Sequence, residues 1–208
     1  QVPSWSNTPP VDRNAIDTLA KAFQEHHYDI RSVLRVLFNS DFFKNAQFAK
    51  IKSPAELVVG TLRLVGGFGF PSPGIGNLSK EPGYMGQELL NPPSVEGWHT
   101  GPEWINSGAL MKRINFTADM VGDVTKPGVS AIVGRVKAQG DLSSENFVDA
   151  CLDLMGPMEV TDDTRRELVE HASESGTLSW GANSDEVSTE RVGEMLQLIV
   201  STREYQYT

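Results

Sequence analysis

The sequence predicts a mainly α protein: a multi-helix bundle with a long ordered Pro/Gly/Trp loop and little or no β-structure. Apolar residues recur at three- and four-residue spacing through most of the chain. Ser/Thr-x-x-Glu start signals precede two of these runs. No run alternates apolar and polar residues for long enough to build a sheet, although Gly67–Phe70 and Thr177–Trp180 have the composition for a brief pairing.

Residues 1–10, with Pro3, Pro9 and Pro10, have few amides to donate and little to bury, and read as an extended arm. Ile16, Leu19, Ala20 and Phe23 then share one helix face, as do Ile30, Val33, Leu34, Leu37 and Phe38. Ser53-Pro54-Ala55-Glu56 starts a third helix, because the Ser hydroxyl accepts an amide one turn on, Pro54 needs no partner there, and Glu56 reaches back. Gly66-Gly67 stops it. Thr100-Gly101-Pro102-Glu103 repeats the device and predicts a helix with Trp104, Leu110, Met111 and Ile114 on its apolar side, running to about Gly122. Helical spacing returns over 129–138, 144–155, 164–173 and 186–202, with Ser143 and Thr161 placed as caps. One stretch repeats: Ser32–Phe43 resembles Glu194–Tyr205, each ending a helix with a polar pair and an aromatic, as a shared packing unit would.

The chain has 208 residues, 39% of them hydrophobic and 22% charged, enough for one sizeable core or two small ones. Eighteen Lys and Arg stand against 27 Asp and Glu, a net charge of −9, which opposes a general role on a phosphate backbone, so no nucleic-acid partner is expected. The charge is uneven: residues 1–138 carry 14 basic and 12 acidic side chains, residues 139–208 carry 4 and 15. This places a boundary near Ala138-Gln139-Gly140-Asp141, dividing a helical region over 11–138 from an acidic helical region over 139–208 that packs either separately or on the same core. The longest apolar runs, such as Leu57–Val59 and Leu198–Val200, fall far short of the roughly 20 residues of a membrane span. The start at Gln1 reads as a processed product or a piece of something longer.

Signatures of nucleophile, metal and cofactor chemistry are missing: there is no GxSxG, HExxH, P-loop, GxGxxG or EF-hand loop, and no cofactor or metal is expected. Cys151, the one cysteine, allows neither an internal disulfide nor a CxxC pair and lies among apolar neighbours as a core residue. His26 and His27 are adjacent, so they point about 100° apart on a helix and suit a helix end better than one metal ion. Asp162-Asp163 and Asp185-Glu186 fit helix N-termini. Arg31, Arg35, Glu56, Arg63 and Arg113 stand close to apolar positions, where they brace the core or line a pocket.

The unusual segment is Asn91–Asn106, in which three prolines and two glycines fix the path and two tryptophans flank a histidine and two carboxylates. As a recognition surface it offers the flat faces of Trp98 and Trp104 and hydrogen-bonding groups on Asn91, Glu96, His99, Glu103 and Asn106 for a sugar, a peptide or another polar ligand. As a structural loop it uses the tryptophans as plugs and the asparagines to satisfy backbone groups.

These residues bring a family into view. Tyr28–Arg35, Ser40–Phe43 and Lys52–Val59 with Leu62-Arg63, then Met85–Trp98, Trp104–Asn106 and Arg113–Phe116, and finally Leu198–Gln206, resemble in this order the later half of the bacterial family catalogued as domain of unknown function 1800 (DUF1800). The resemblance is good over about 26–122 and looser over 145–208. It implies a largely helical, exported protein (periplasmic, cell-surface or extracellular), without an established activity, whose family is roughly twice this length. A site that uses the earlier half would be absent from this chain.

The expectation is therefore a binding or assembly module rather than an enzyme, acting through the Trp98/Trp104 loop with Asn91, His99, Asn106 and Arg113 as further binding residues. The expected partner is another protein or the N-terminal half of the same precursor, with a sugar or polymer ligand as a further candidate. The alternative is a hydrolase of an extracellular polysaccharide or other polymer, with Glu96 or Glu103 and His99 as acid and base.

Overall fold

Side-chain caps set where most of the helices begin. The computed structural model describes residues 12–70, 74–182 and 184–207, and the arm expected over 1–10 lies outside them. The described residues form helices, turns and loops, with three isolated antiparallel bridges and no sheet, a mainly α fold. The chain divides into two compact units, residues 1–47 and 48–208.

The first unit holds α1 (Arg13–Glu25), α2 (Ile30–Asn39) and α3 (Asp41–Lys44). The Asp12 carboxylate accepts the Ala15 amide at 3.0 Å, and Asp29 accepts the Ser32 amide at 3.0 Å, so each helix starts on a charge-assisted cap. His27 and Tyr28, at φ 51° and 67°, reverse the chain in the left-handed region, and Tyr28 meets Phe23 edge to face at 5.0 Å. The histidine pair thus ends α1. Among the described residues of this unit only Ala22 is buried. Part of the predicted core faces lies open: Ile16, Ile30, Leu34 and Phe38 are all exposed.

The second unit holds α4 (Pro54–Val65), α5 (Ile75–Leu78), α6 (Glu81–Tyr84), α7 (Ser107–Gly122), α8 (Pro127–Lys137), α9 (Ser144–Leu154), α10 (Asp162–Glu174) and α11 (Asp185–Ser201). The Ser53/Glu56 capping box forms: Glu56 Oε2 accepts the Ser53 amide at 2.7 Å, and Ser53 Oγ accepts the Glu56 amide at 3.3 Å. Ser143 and Thr161 cap α9 and α10. The second start signal behaves differently. The helix expected from Thr100 to Gly122 breaks in two: Gly101–Trp104 is a single 3-10 turn, and α7 begins only at Ser107, where Asn106 accepts the Ala109 amide at 2.9 Å. Asn106 is a stronger local cap than the continuing turn, and Ile105 (φ −112°, ψ 73°) has already left helical geometry.

One core runs through this unit. Leu57, Val58 and Val65 of α4, Phe116 and Val121 of α7, Val129 and Val136 of α8, Phe147 and Val148 of α9, Leu168 of α10 and Val192, Leu196 and Ile199 of α11 belong to it. The acidic helices therefore share their core with helices from before the charge break, and Ala138–Asp141 is a loop inside the unit, with Gly140 at φ 79°. Beside it Leu142 and Leu178 exchange both backbone bonds at 2.9 Å, the brief pairing expected near Thr177–Trp180. α7 and α11 run in opposite directions, since Gln197 donates to the Ala118 carbonyl and Gln206 bonds Arg113. The burial of Cys151 pushes its thiol up to about 12, consistent with an inert core thiol.

The start of α8 meets the end of α4 backbone to backbone. A Cβ on Gly128 would lie 1.9 Å from the Leu64 carbonyl oxygen, whereas one on Gly134, in the same helix, would meet nothing within 4 Å. Gly128→Ala is expected to cost about 1–3 kcal/mol or more, because two backbones must separate. Gly134→Ala is expected to gain about 0.5–1 kcal/mol from helix propensity. Thermal unfolding of the two variants should move in opposite directions.

Candidate functional site

The segment after α6 is built around Glu88, which sequence reasoning did not single out. Its carbonyl accepts the Trp98 indole N–H at 2.9 Å and the Asn91 amide at 3.2 Å, and its carboxylate accepts the Asn91 side-chain amide at 2.9 Å. Asn91-Pro92-Pro93 therefore leaves the hub in one direction and Trp98 returns to it. Between them Gly97, at φ 100°, closes a turn onto the Ser94 carbonyl, a conformation that suits glycine. One residue upstream, the Gln87 side chain accepts the Ala55 amide at 2.8 Å, fastening the segment to the first turn of α4.

The two tryptophans have different fates. Trp104 is 5% exposed and lies on Gly86, where a Cβ would sit 3.9 Å from its ring. Trp98 is half-buried. Asn106 is taken up by the α7 cap, and Arg113 is fully buried, its Nε donating to Gln206 Oε1 and its Nη2 to the Lys52 carbonyl, both at 2.8 Å. Of the six binding residues expected from sequence, Asn91, Trp98 and His99 stay on the loop surface, Trp104 and Arg113 are buried, and Asn106 is exposed with its side-chain oxygen taken up by the α7 cap. Burial draws the Arg113 guanidinium down to about 10, still high enough to keep it charged at neutral pH.

His99 Nδ1 lies 3.1 Å from Glu103 Oε2, and the Thr100 amide donates to the same oxygen at 3.4 Å. Both side chains of the pair are exposed, so water competes for every bond they make. Glu96 is exposed and uses its backbone amide on Ser94 Oγ.

An apolar groove adjoins this loop. Val58, Val59 and Leu62 of α4, Phe68, Ile75 of α5 and Leu89 line a recess of about 210 Å³. Beyond Leu89 the loop presents Leu90, which is 97% exposed and holds φ 66°, and Val95, which is wholly exposed. An exposed leucine in the left-handed region is strained as well as solvated. The Leu89-Leu90 pair ahead of Asn-Pro-Pro was the available sequence signal. Among the described residues no group of three or more His, Cys, Asp or Glu side chains is placed to hold a metal ion, and no helix is long and apolar enough to cross a membrane.

Fold and site together define an all-α protein whose proline-rich, tryptophan-pinned loop begins in the wall of an apolar groove. The chain matches, over residues 5–207, the family described as protein of unknown function (DUF1800), and belongs to it. No curated protein and no solved structure matches it.

Trp104→Ala is expected to lower stability by about 3–5 kcal/mol, as for other buried aromatics, and Trp98→Ala by only about 1 kcal/mol, for one exposed-side hydrogen bond and partial burial. Denaturant unfolding reads both. Arg113→Met is expected to cost about 2–4 kcal/mol, since the Gln206 amide oxygen and the Lys52 carbonyl would be left buried without a donor. Arg113→Lys should recover little of this, because an ammonium lacks the fork that reaches both acceptors.

Proposed function

We propose that this chain is a binding or assembly module of an exported bacterial protein, and that its contact surface is the groove of α4 and α5 together with the outer edge of the Leu89–His99 loop. The observation that carries this reading is the presentation of Leu90 and Val95. Both are apolar, both are fully in water, and both stand on a segment held by two tryptophans, the Glu88 hub and two prolines. An ordered loop that presents large apolar side chains to water and adjoins an apolar groove suits a protein contact. Trp98 adds a half-buried aromatic edge, and Asn91 and His99 supply a polar rim. The partner is a protein, or the remainder of a longer precursor.

The hydrolase reading retains one supporting observation, the His99–Glu103 pair at 3.1 Å. Its exposure argues against it, because water competes for every bond the two side chains make.

A photoreactive residue at position 95, in the chain expressed in its native host, tests the proposal. The expected result is a cross-link to one stoichiometric protein, identified by mass spectrometry and weakened at least tenfold by Leu90→Asp with unchanged thermal stability. A monomeric chain that cross-links to nothing would overturn it. Release of reducing ends from a polysaccharide panel by the wild type, abolished by Glu103→Gln, would establish the hydrolase instead.

A further inference from the structure

The internal repeat connects α2 with α11, and the structure shows how deep the likeness goes. Ser40 and Thr202 each end a helix, the hydroxyl donating to the carbonyl three residues back: Ser40 Oγ to Leu37 at 2.6 Å and Thr202 Oγ1 to Ile199 at 2.8 Å. Each then accepts the amide of the aromatic three residues on, Phe43 or Tyr205, at 3.3 Å in both. In this register Ile30, Leu34 and Phe38 correspond to Val192, Leu196 and Val200. Those three residues of α11 are completely buried, whereas Ile30, Leu34 and Phe38 of α2 are 60%, 42% and 53% exposed.

The flanking positions differ in chemistry. Arg31 corresponds to Gly193 and Arg35 to Gln197. On α11 these positions face α7: Gln197 donates to the Ala118 carbonyl near the end of α7, and a Cβ on Gly193 would crowd Val124 just beyond it. On α2 the same edge is a ladder of two guanidiniums, and none of the ion pairs among the described residues uses either of them. Asp29, the nearest acid in sequence, is taken up by Ser32 at the helix N-terminus.

We infer that the Ile30–Leu34–Phe38 face of α2 is a docking site for an amphipathic helix of a partner protein, one that carries carboxylates at four-residue spacing beside its own apolar ladder. The completely buried Val192–Leu196–Val200 ladder of α11 supplies the packing precedent, and the Arg31–Arg35 ladder supplies the charge preference. A two-fold pairing of α2 with itself would bring like ladders together and is disfavoured. Ridges formed by residues four apart pack into the grooves of a second helix, and matched opposite charges along the edge set its register and orientation. This surface is distinct from the groove beside the Trp98 loop and does not depend on it.

The full chain tests this with two synthetic helical peptides that share a leucine ladder and differ only in a flanking ladder of Glu or Lys, followed by fluorescence anisotropy. The Glu peptide is expected to bind at least tenfold more tightly than the Lys peptide and to weaken as salt rises. Leu34→Glu should weaken it at least tenfold, and Arg31→Glu with Arg35→Glu should reverse the preference. Both variants alter exposed positions, so unchanged circular dichroism and melting temperature verify the fold. Equal binding of the two peptides, or binding of neither, overturns the inference. So does capture of the chain by phosphatidylglycerol vesicles without peptide binding, which would assign the face to a membrane. Self-association lost in the same variants, without peptide binding, would assign it to a second copy.

Discussion

The second unit depends on a buried guanidinium that pairs with no carboxylate among the described residues. Arg113 is fully enclosed, and its bonds go to neutral oxygens: the side-chain amide of Gln206 and the carbonyl of Lys52. Charge-assisted bonds to well-placed dipoles offset part of its desolvation, and burial lowers its proton affinity without removing its charge. The bonds on either side complete a closure. The Lys52 amide donates to the Gln206 carbonyl at 2.8 Å, Ile51 bridges Tyr207, and the Lys52 ammonium bonds the Tyr205 carbonyl while lying 4.3 Å from the Tyr205 ring centre. Lys52 is itself depressed, by burial first and then by the nearby Arg113. The start of α4, the middle of α7 and the end of the chain are thus held at one point. The groove is set by α4 and the loop ends on the cap of α7, so the site's geometry rests on this closure.

Given that frame, the loop separates into an anchoring and an outer set. Trp104, Gln87 and Asn106 anchor the segment: the buried indole fills space over Gly86, and the two amide side chains satisfy helix N-termini. Leu90, Val95, Trp98 and His99 remain outside or at the edge. The anchoring set fixes the path with few residues, which is how Pro92-Pro93 and a strained Leu90 persist in a surface segment. A surface ordered in advance loses less conformational entropy on binding than a mobile one, so the internal anchors of this loop also bear on its affinity.

Much of the fold was legible because caps are local chemistry. Ser53/Glu56, Ser143 and Thr161 act within one turn, and their residue types carry the information. α5 and α6 were not legible, since four residues show no periodicity. The break at Ile105 was hidden because two start signals lie close together and only tertiary context selects Asn106 as the helix start. Burial was the least legible property. Trp98 and Trp104 are the same residue type six positions apart, yet one is enclosed and the other is not. The loop was recognisable as the candidate site from its prolines and tryptophans, but Glu88 as hub and the groove beside it depend on contacts that sequence spacing does not encode.

The α2 and α11 pair shows where local and tertiary information part. The two segments close with the same hydroxyl bonds, so this turn chemistry persists where the surrounding packing differs completely. What differs is the surroundings: the apolar ladder of α11 is completely buried in the core, and the corresponding ladder of α2 is about half exposed. A ten-residue helix is marginal in isolation, and α2 is held by the Asp29 cap at one end and Ser40 at the other. Those caps bear part of the ordering cost that a partner would otherwise meet. The face is therefore shaped before anything binds to it, and the apolar area still exposed there contributes to docking rather than to forming the helix.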